Sequence, residues 1–368
     1  MIDIDRYAAY YWLNRITRGN SALQELLKFR FGGAKEAWNA GVRGEIDYGS
    51  FMGEKYLDKT DPEALMRRSY AVMKNAEEKG IGVLCRDDDD YPELLREISA
   101  SPALLFYEGR IEEINRCKSR LAVVGSRKCT YYGREMCTKL VSKLKNRNLC
   151  VVSGMARGID AAAHKAALDS DIFTVAVLAS GTDVVYPEEN RGLYNKIKDS
   201  GVIISEQVPG TQPLKTYFPA RNRIIAGIAE ATFVVEAGAS SGAQITANCA
   251  LNEGRELLVM PHRIDSVEGA GCNDMIKDGA VCVTSHADIL LSLGFDAEER
   301  RCEPYMLPEA LDENQRKVLL FIKANRESDE ETIAFETGIR SQEIKRALSA
   351  LEIFGFIKKD TGEKYHDL

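Results

Sequence analysis

The chain has 368 residues, enough at roughly 150 residues per domain for two or three domains, each with its own core. With 45 % hydrophobic and 29 % charged residues it reads as an ordinary soluble protein. A formal net charge of −7 disfavours a polyanion partner only on average, because residues 117–230 hold 17 Lys and Arg against 10 Asp and Glu. A folded basic face can bind nucleic acid or phosphates whatever the total charge.

The start, MIDIDRYAAYYW, lacks a basic stretch ahead of an apolar core, so no secretory signal is expected. No apolar run approaches the roughly 20 residues of a membrane span. Residues 1–75 read as short amphipathic helices broken by glycines. Leu23, Leu26 and Leu27 share a face, followed by Phe29, Phe31 and Trp38, which suggests a small helical domain of the SAM or helix-hairpin-helix kind. The acidic run Asp87–Asp90, ahead of Tyr91 and Pro92, reads as a solvated turn.

From about residue 121 the period changes. Apolar runs recur at Leu121–Val124, Leu149–Val152, Thr174–Leu178, Val202–Ile204, Ala231–Val235, Glu256–Met260 and Ala280–Val283. Helical patterns lie between them at Gly133–Arg147, Ile159–Leu168, Asn222–Ala229 and Ala243–Asn252. Strands apolar on both faces, alternating with helices, predict an α/β, doubly wound, Rossmann-like parallel sheet over residues 76–295. Residues 296–310, polar and with two prolines, read as a linker. Helices over Asn314–Ala324, Glu331–Phe335 and Gln342–Phe354 follow, then extended Phe356–Lys359, a turn at Thr361-Gly362 and extended Lys364-Tyr365. That pattern predicts a winged helix over 311–368. Its third helix sets Lys345 and Arg346 against Glu343 and Glu352, so a strong duplex reader is not expected there.

Ligands of doubly wound sheets sit beyond the carboxyl ends of the strands. Those positions hold Gly125-Ser126-Arg127, Ser153 to Gly158, Ala179 to Thr182, Ser205-Glu206, and Glu236 followed by Ser240-Ser241-Gly242. Glycines and hydroxyls at helix starts leave backbone N–H groups open to an anion. No G-x-G-x-x-G follows the first strand and no G-x-x-x-x-G-K-[ST] occurs, so dinucleotide binding and P-loop hydrolysis lose their usual signals. Nine cysteines without a C-x-x-C pair and four scattered histidines offer no zinc spacing, and no cofactor is expected. Free thiols fit a reducing cytoplasm.

Around residue 220, Ile224, Ile225 and Ile228 can pack a helix on the sheet and leave Arg221, Asn222 and Arg223 at its start. Two arginines oppose the positive end of the helix dipole there, an arrangement better tolerated with a bound anion, and Phe218 beside them could stack on a base. Alternatively the arginines pair with Glu206 or Glu236 and Phe218 is core. Asp160 and His164, four apart, suggest a local hydrogen bond rather than catalysis. Glu206 and Glu236 read as anchors for the loops.

These stretches together resemble the bacterial DNA-processing protein A (DprA/Smf) family: VVGSRKCTYYG (123–133), VVSGMARGIDAAAHKAAL (151–168), TVAVLASGTDVVYPEEN (174–190), GVIISEQVPGT (201–211), FPARNRIIAGIAEATFVVEA (218–237) and SSGAQITA (240–247). Pro261-His262 and Ala243-Gln244 depart from the family's usual Pro-Gly and Ser-Leu. The resemblance implies a cytoplasmic, dimeric, non-enzymatic protein that binds single-stranded DNA and loads the RecA recombinase in natural transformation. It implies a DNA site of Ser126, Arg127, Gly154, Met155, Lys215, Phe218, Arg221, Asn222, Arg223 and Gly242. Arg127, Lys215, Arg221 and Arg223 would hold phosphates, and Phe218 would stack on a base. The rival reading is a phosphoribohydrolase-type enzyme of similar fold, whose catalytic glutamate would fall where Thr246 stands.

Overall fold

Seven of the nine strands of the main sheet coincide with the apolar runs of the sequence. The computed structural model describes residues 2–46, 62–239, 241–296, 311–325, 327–360 and 364–367. Two compact units divide the chain, Met1–Glu298 and Glu299–Leu368.

The first unit opens with α1 (Ile4–Ile16), α2 (Ser21–Phe31), α3 (Ala34–Val42) and α4 (Pro62–Glu78). Asp3 and Asn20 cap the first two helices through their side chains, and Gly32 ends α2 in the left-handed region at φ 90°. Leu27 and Trp38 are buried as expected, but Leu26 and Phe29 face outward. Leu23 and Leu27, one turn apart, define the inner stripe, and Leu26 lies about 100° off it. The apolar core of these helices continues into β1 (Gly82–Cys85) and β2 (Leu104–Gly109) through Val83, Cys85, Leu104 and Phe106. The acidic run is more engaged than a solvated turn. Asp88 accepts from the Tyr7 hydroxyl at 3.0 Å and pairs with Arg6 at 2.7 Å, while Asp87 pairs with Lys28 at 2.7 Å and accepts from the Tyr10 hydroxyl. Packing of α1 and α2 over the turn supplies these partners.

Beyond the short helices α5 (Glu93–Glu97) and α6 (Glu113–Arg116), the alternation begins: β3 (Ser119–Gly125), α7 (Tyr131–Ser142), β4 (Leu149–Ser153), α8 (Ile159–Asp169), β5 (Phe173–Val177), α9 (Arg191–Ser200), β6 (Val202–Ser205), α10 (Tyr217–Ile228), β7 (Ala231–Glu236), α11 (Gly242–Asn252), β8 (Glu256–Val259), α12 (Ala270–Lys277), β9 (Val281–Cys282) and α13 (His286–Ser292). Their strand order is β1-β2-β6-β5-β4-β3-β7-β8-β9. Pairing is parallel from β6 to β9, and β1 and β2 extend one edge antiparallel. Side chains of β3, β4 and β7 are almost completely buried on both faces, so two apolar layers seal the sheet from opposite sides.

The second unit holds α14 (Glu313–Asn325), β10 (Glu327–Ser328), α15 (Glu330–Thr337), α16 (Ser341–Ile353), β11 (Ile357–Lys359) and β12 (Tyr365–Asp367). Three helices and an antiparallel sheet, ordered β10-β12-β11, surround a core that includes Val318, Ile333, Leu348 and Tyr365. The expected helices and hairpin strands are present there. The Thr361-Gly362 turn and residues 297–310 of the expected linker lie outside the described residues.

Candidate nucleic-acid interface

The sheet reverses its winding at β3. After β3 the chain adds β4, β5 and β6 on one side, then crosses to β7, β8 and β9 on the other. A crevice opens beyond the carboxyl ends at such a switch point, and here two interlocked loops build its floor. The Ser126 N–H donates to the Glu236 carbonyl at 2.8 Å, and the Ile159 N–H donates to the Ser126 carbonyl at 3.2 Å. Gly158, at φ 76°, packs against the carbonyls of Ser126 and Arg127 so closely that a Cβ would collide with both. Glu236 is fully buried and accepts from the Thr130 N–H and hydroxyl, which fixes the start of α7. It anchors a loop, as the sequence suggested.

Two joined recesses follow. The larger, about 510 Å³, lies between the β3–α7 loop, the second turn of α10 and the start of α11; Ser126, Arg127, Lys128, Asp160, Arg221, Asn222 and Gly242 are among its lining residues. The smaller, about 50 Å³, is bounded by Gly154, Arg157, Ser180, Tyr186 and Phe218. Arg127 and Ala156 line both and mark their junction.

Of the ten expected site residues, the structure brings seven to these recesses. Ser126, Arg127, Arg221, Asn222 and Gly242 face the larger one, and Gly154 and Phe218 face the smaller, where Arg127 is shared. The Arg127 guanidinium carbon sits 4.7 Å from the centroid of the Phe218 ring, with Tyr186 edge-on to the same ring at 5.9 Å. Lys215 is exposed on the approach to α10 but lines neither recess.

Met155 is not offered to a ligand through its side chain. It is completely buried among Ala176, Leu178, Tyr194 and Ile203, and its backbone sits at φ 58° with its carbonyl accepting from the Asn190 amide at 2.9 Å. Arg223 also lies outside both recesses and pairs with Glu206 at 2.6 Å. That carboxylate holds Nη2, while Nη1 is buried without a hydrogen-bond partner among the described residues.

Arg221 differs again. Only 5 % exposed, it donates through Nη1 to the carbonyls of Gly154 and Val177, the latter at 2.6 Å, so it ties β4 to β5. Burial pushes its guanidinium down to about 10, opposed by Asp160, and it remains a cation at neutral pH. Asp160 in turn is pushed up by burial, against the pull of Arg221 and Arg127.

Arg221 lies one turn and Arg223 nearly two turns inside their helix rather than at its start, because α10 begins at Tyr217. Pro219 belongs to the first turn, where the missing N–H has no helical acceptor to lose. The expected Asp160–His164 hydrogen bond is replaced by two separate ones. Asp160 accepts from the Ala156 N–H at 3.3 Å, and His164 Nδ1 meets the Thr174 hydroxyl at 2.7 Å. Thr174 donates its own hydrogen to the Val151 carbonyl, so His164 is the donor and is neutral; burial lowers its pKa to about 3.

The expected site leaves out Tyr186, Arg157 and Lys128, although Arg157 stands in one of the loops singled out from the sequence. Tyr186 lies within the quoted 174–190 stretch, and its only signal was an aromatic in a loop beside a proline. Arg157 is exposed but pairs with Glu189 at 2.8 Å. Among the described residues no group of His, Cys, Asp and Glu could hold a metal ion, and no helix is long and apolar enough to cross a membrane.

Known proteins share both the sequence and the fold. The model of the family described as DNA recombination-mediator protein A matches residues 82–294. The DNA processing protein DprA of Streptococcus pneumoniae is 44 % identical over 208 residues, 56 % of this chain and 73 % of that protein. A Synechocystis protein named Smf is 30 % identical across 96 % of this chain and 98 % of its own length. The solved S. pneumoniae DprA structure superposes with a TM-score of 0.62 at 36 % identity, covering 77 % of this chain and 97 % of that one. DNA processing protein A of Helicobacter pylori, whose structure was described for its single-stranded DNA binding mode, shares the fold at a TM-score of 0.53 and 24 % identity, over 58 % of this chain and 95 % of that one.

Proposed function

The chain belongs to the DNA recombination-mediator protein A family, and from that premise we propose that it binds single-stranded DNA in the joined recesses at the sheet's switch point. The observation that carries this reading is the Phe218 ring, flanked by Arg127 and Tyr186 where the two recesses meet. A partly exposed aromatic beside a guanidinium holds an unstacked base and its phosphate without reading sequence. The larger recess, edged by the start of α11 and the backbone of the β3–α7 loop, takes the adjoining phosphates.

In this reading Arg127, Lys128 and Lys215 meet DNA, Phe218 and Tyr186 stack, and Ser126, Asn222 and Gly242 line the strand's path. Arg221 and Arg223 shape the site from within. The protein acts by binding and not by catalysis: Thr246, buried where a hydrolase of similar fold would place its acid, has no carboxylate to offer. Delivery of the bound strand to the RecA recombinase, a homodimeric state and a cytoplasmic setting complete the proposal. A photo-crosslink from a 5-iodouracil-substituted (dT)12 strand should map to Tyr186 or Phe218. Crosslinks confined to α16 of the second unit would contradict the site.

A further inference from the structure

We infer that α7 and the segment after it form a second track for the DNA backbone, leading from the recesses to the amino ends of the central strands; this rests on the single-stranded DNA reading above. Residues 117–147 contain nine Lys and Arg and a single acidic residue, Glu135. Apart from Arg120, which is buried against Glu230, that positive charge is concentrated on α7 and the loops that flank it. Meanwhile several cations around the recesses are committed internally: Arg157 to Glu189, Arg221 to two carbonyls, Arg223 to Glu206. A strand longer than the recesses needs its phosphates neutralised elsewhere.

The geometry of α7 supplies that path. Gly133, Cys137, Leu140 and Val141 face the core, so the stripe through Tyr131, Arg134, Thr138 and Ser142 faces outward and continues to exposed Lys145. Lys139 flanks this stripe. The helix starts beside Lys128 at the edge of the larger recess and runs 12 residues, about 18 Å. Tyr131 and Tyr132, each close to half exposed, set aromatic rings beside the cations at the end nearest the recess. Aromatic side chains at the start of an exposed helix, with cations further along it, suit a flexible single strand, which can bring bases to the rings and phosphates to the cations. Lys118, just before β3, donates its N–H to the Asn148 carbonyl beyond α7, so the path ends among further cations.

Two oligonucleotide lengths separate the track from the recesses. In the full chain, Arg134→Gln, Lys139→Gln and Lys145→Gln combined should leave (dT)5 affinity within twofold of wild type. The same variant should weaken (dT)25 at least tenfold in 100 mM salt and reduce its log–log salt slope by about 2, at roughly 0.7 for each phosphate no longer neutralised. Unchanged (dT)25 affinity and slope would overturn the track. So would equal weakening of both lengths, which would place the effect in the recesses. Arg127→Ala tests the underlying reading separately: if (dT)5 binds that variant as it binds wild type, the recess assignment fails. Should the triple variant lose its thermal transition, Lys145→Gln alone, at an exposed position, must lower the (dT)25 slope by about 0.7.

Discussion

At the level of single residues the site separates cations that face solvent from cations that hold the fold. Arg127 and Arg221 both line the larger recess, yet their expected effects diverge. Arg127→Ala removes an exposed charge and should weaken single-stranded DNA binding by about 1.5 kcal/mol, roughly tenfold, with no change in the urea midpoint. Arg221→Ala leaves the buried carbonyls of Gly154 and Val177 without their donor and should cost about 3 kcal/mol of stability in the same titration. Phe218→Ala should cost about 1–3 kcal/mol of affinity, the range for a base stacked on an aromatic ring. His164 links stability to pH. The unfolded chain takes up its proton near pH 6.5, whereas the fold resists until about pH 3, so stability should fall as pH falls through that window. Urea midpoints from pH 7 to 4 should therefore drop more steeply for wild type than for His164→Asn. Composition placed Arg221, Asn222 and Arg223 together near a ligand, but adjacent residues on a helix point about 100° apart. Arg221 faces the recess from below and Arg223 turns to Glu206, a division visible only once the loops after β4 and β6 are in place.

At the level of elements, strands buried on both faces were the legible part. Their uninterrupted apolar runs put β3 to β9 within one or two residues of their observed ends, and the chemistry-bearing loops followed directly. Antiparallel β1 and β2 escaped notice, since short apolar runs carry no period that separates a strand from a buried helix turn. The helix α10 begins five residues before the Asn222 that the apolar pattern offers, with Pro219 in its first turn. Loop interlocking is equally invisible: Gly158 reads as one of the glycines that open a helix start to an anion, whereas it lets the loops after β3 and β4 touch. Gly158→Ala, strained at φ 76° and obstructed by two carbonyls, should destabilise the protein by more than about 1 kcal/mol and also weaken DNA binding, because the displaced loop carries Ser126 and Arg127. Thermal denaturation and anisotropy on the same preparation check both halves.

For the molecule as a whole, the net charge of −7 conceals a division of labour. Residues 231–300 hold 11 Asp and Glu against 4 Lys and Arg, while residues 117–230 carry the excess of cations and most of the residues that line the recesses. The second unit encloses its own core, and Lys345 of α16 lies 3.6 Å from Glu330, so its third helix offers little unopposed charge. A chain ending at residue 298 should accordingly keep its affinity for a short single strand within about threefold. Whether a basic cradle with an aromatic platform selects single strands is decided by fluorescence anisotropy on matched single- and double-stranded 25-mers across 50–300 mM salt. Tighter binding of the single strand throughout is expected, with an affinity that falls steeply as salt rises. Equal binding of the two, or a single-strand affinity indifferent to salt, would contradict the cradle.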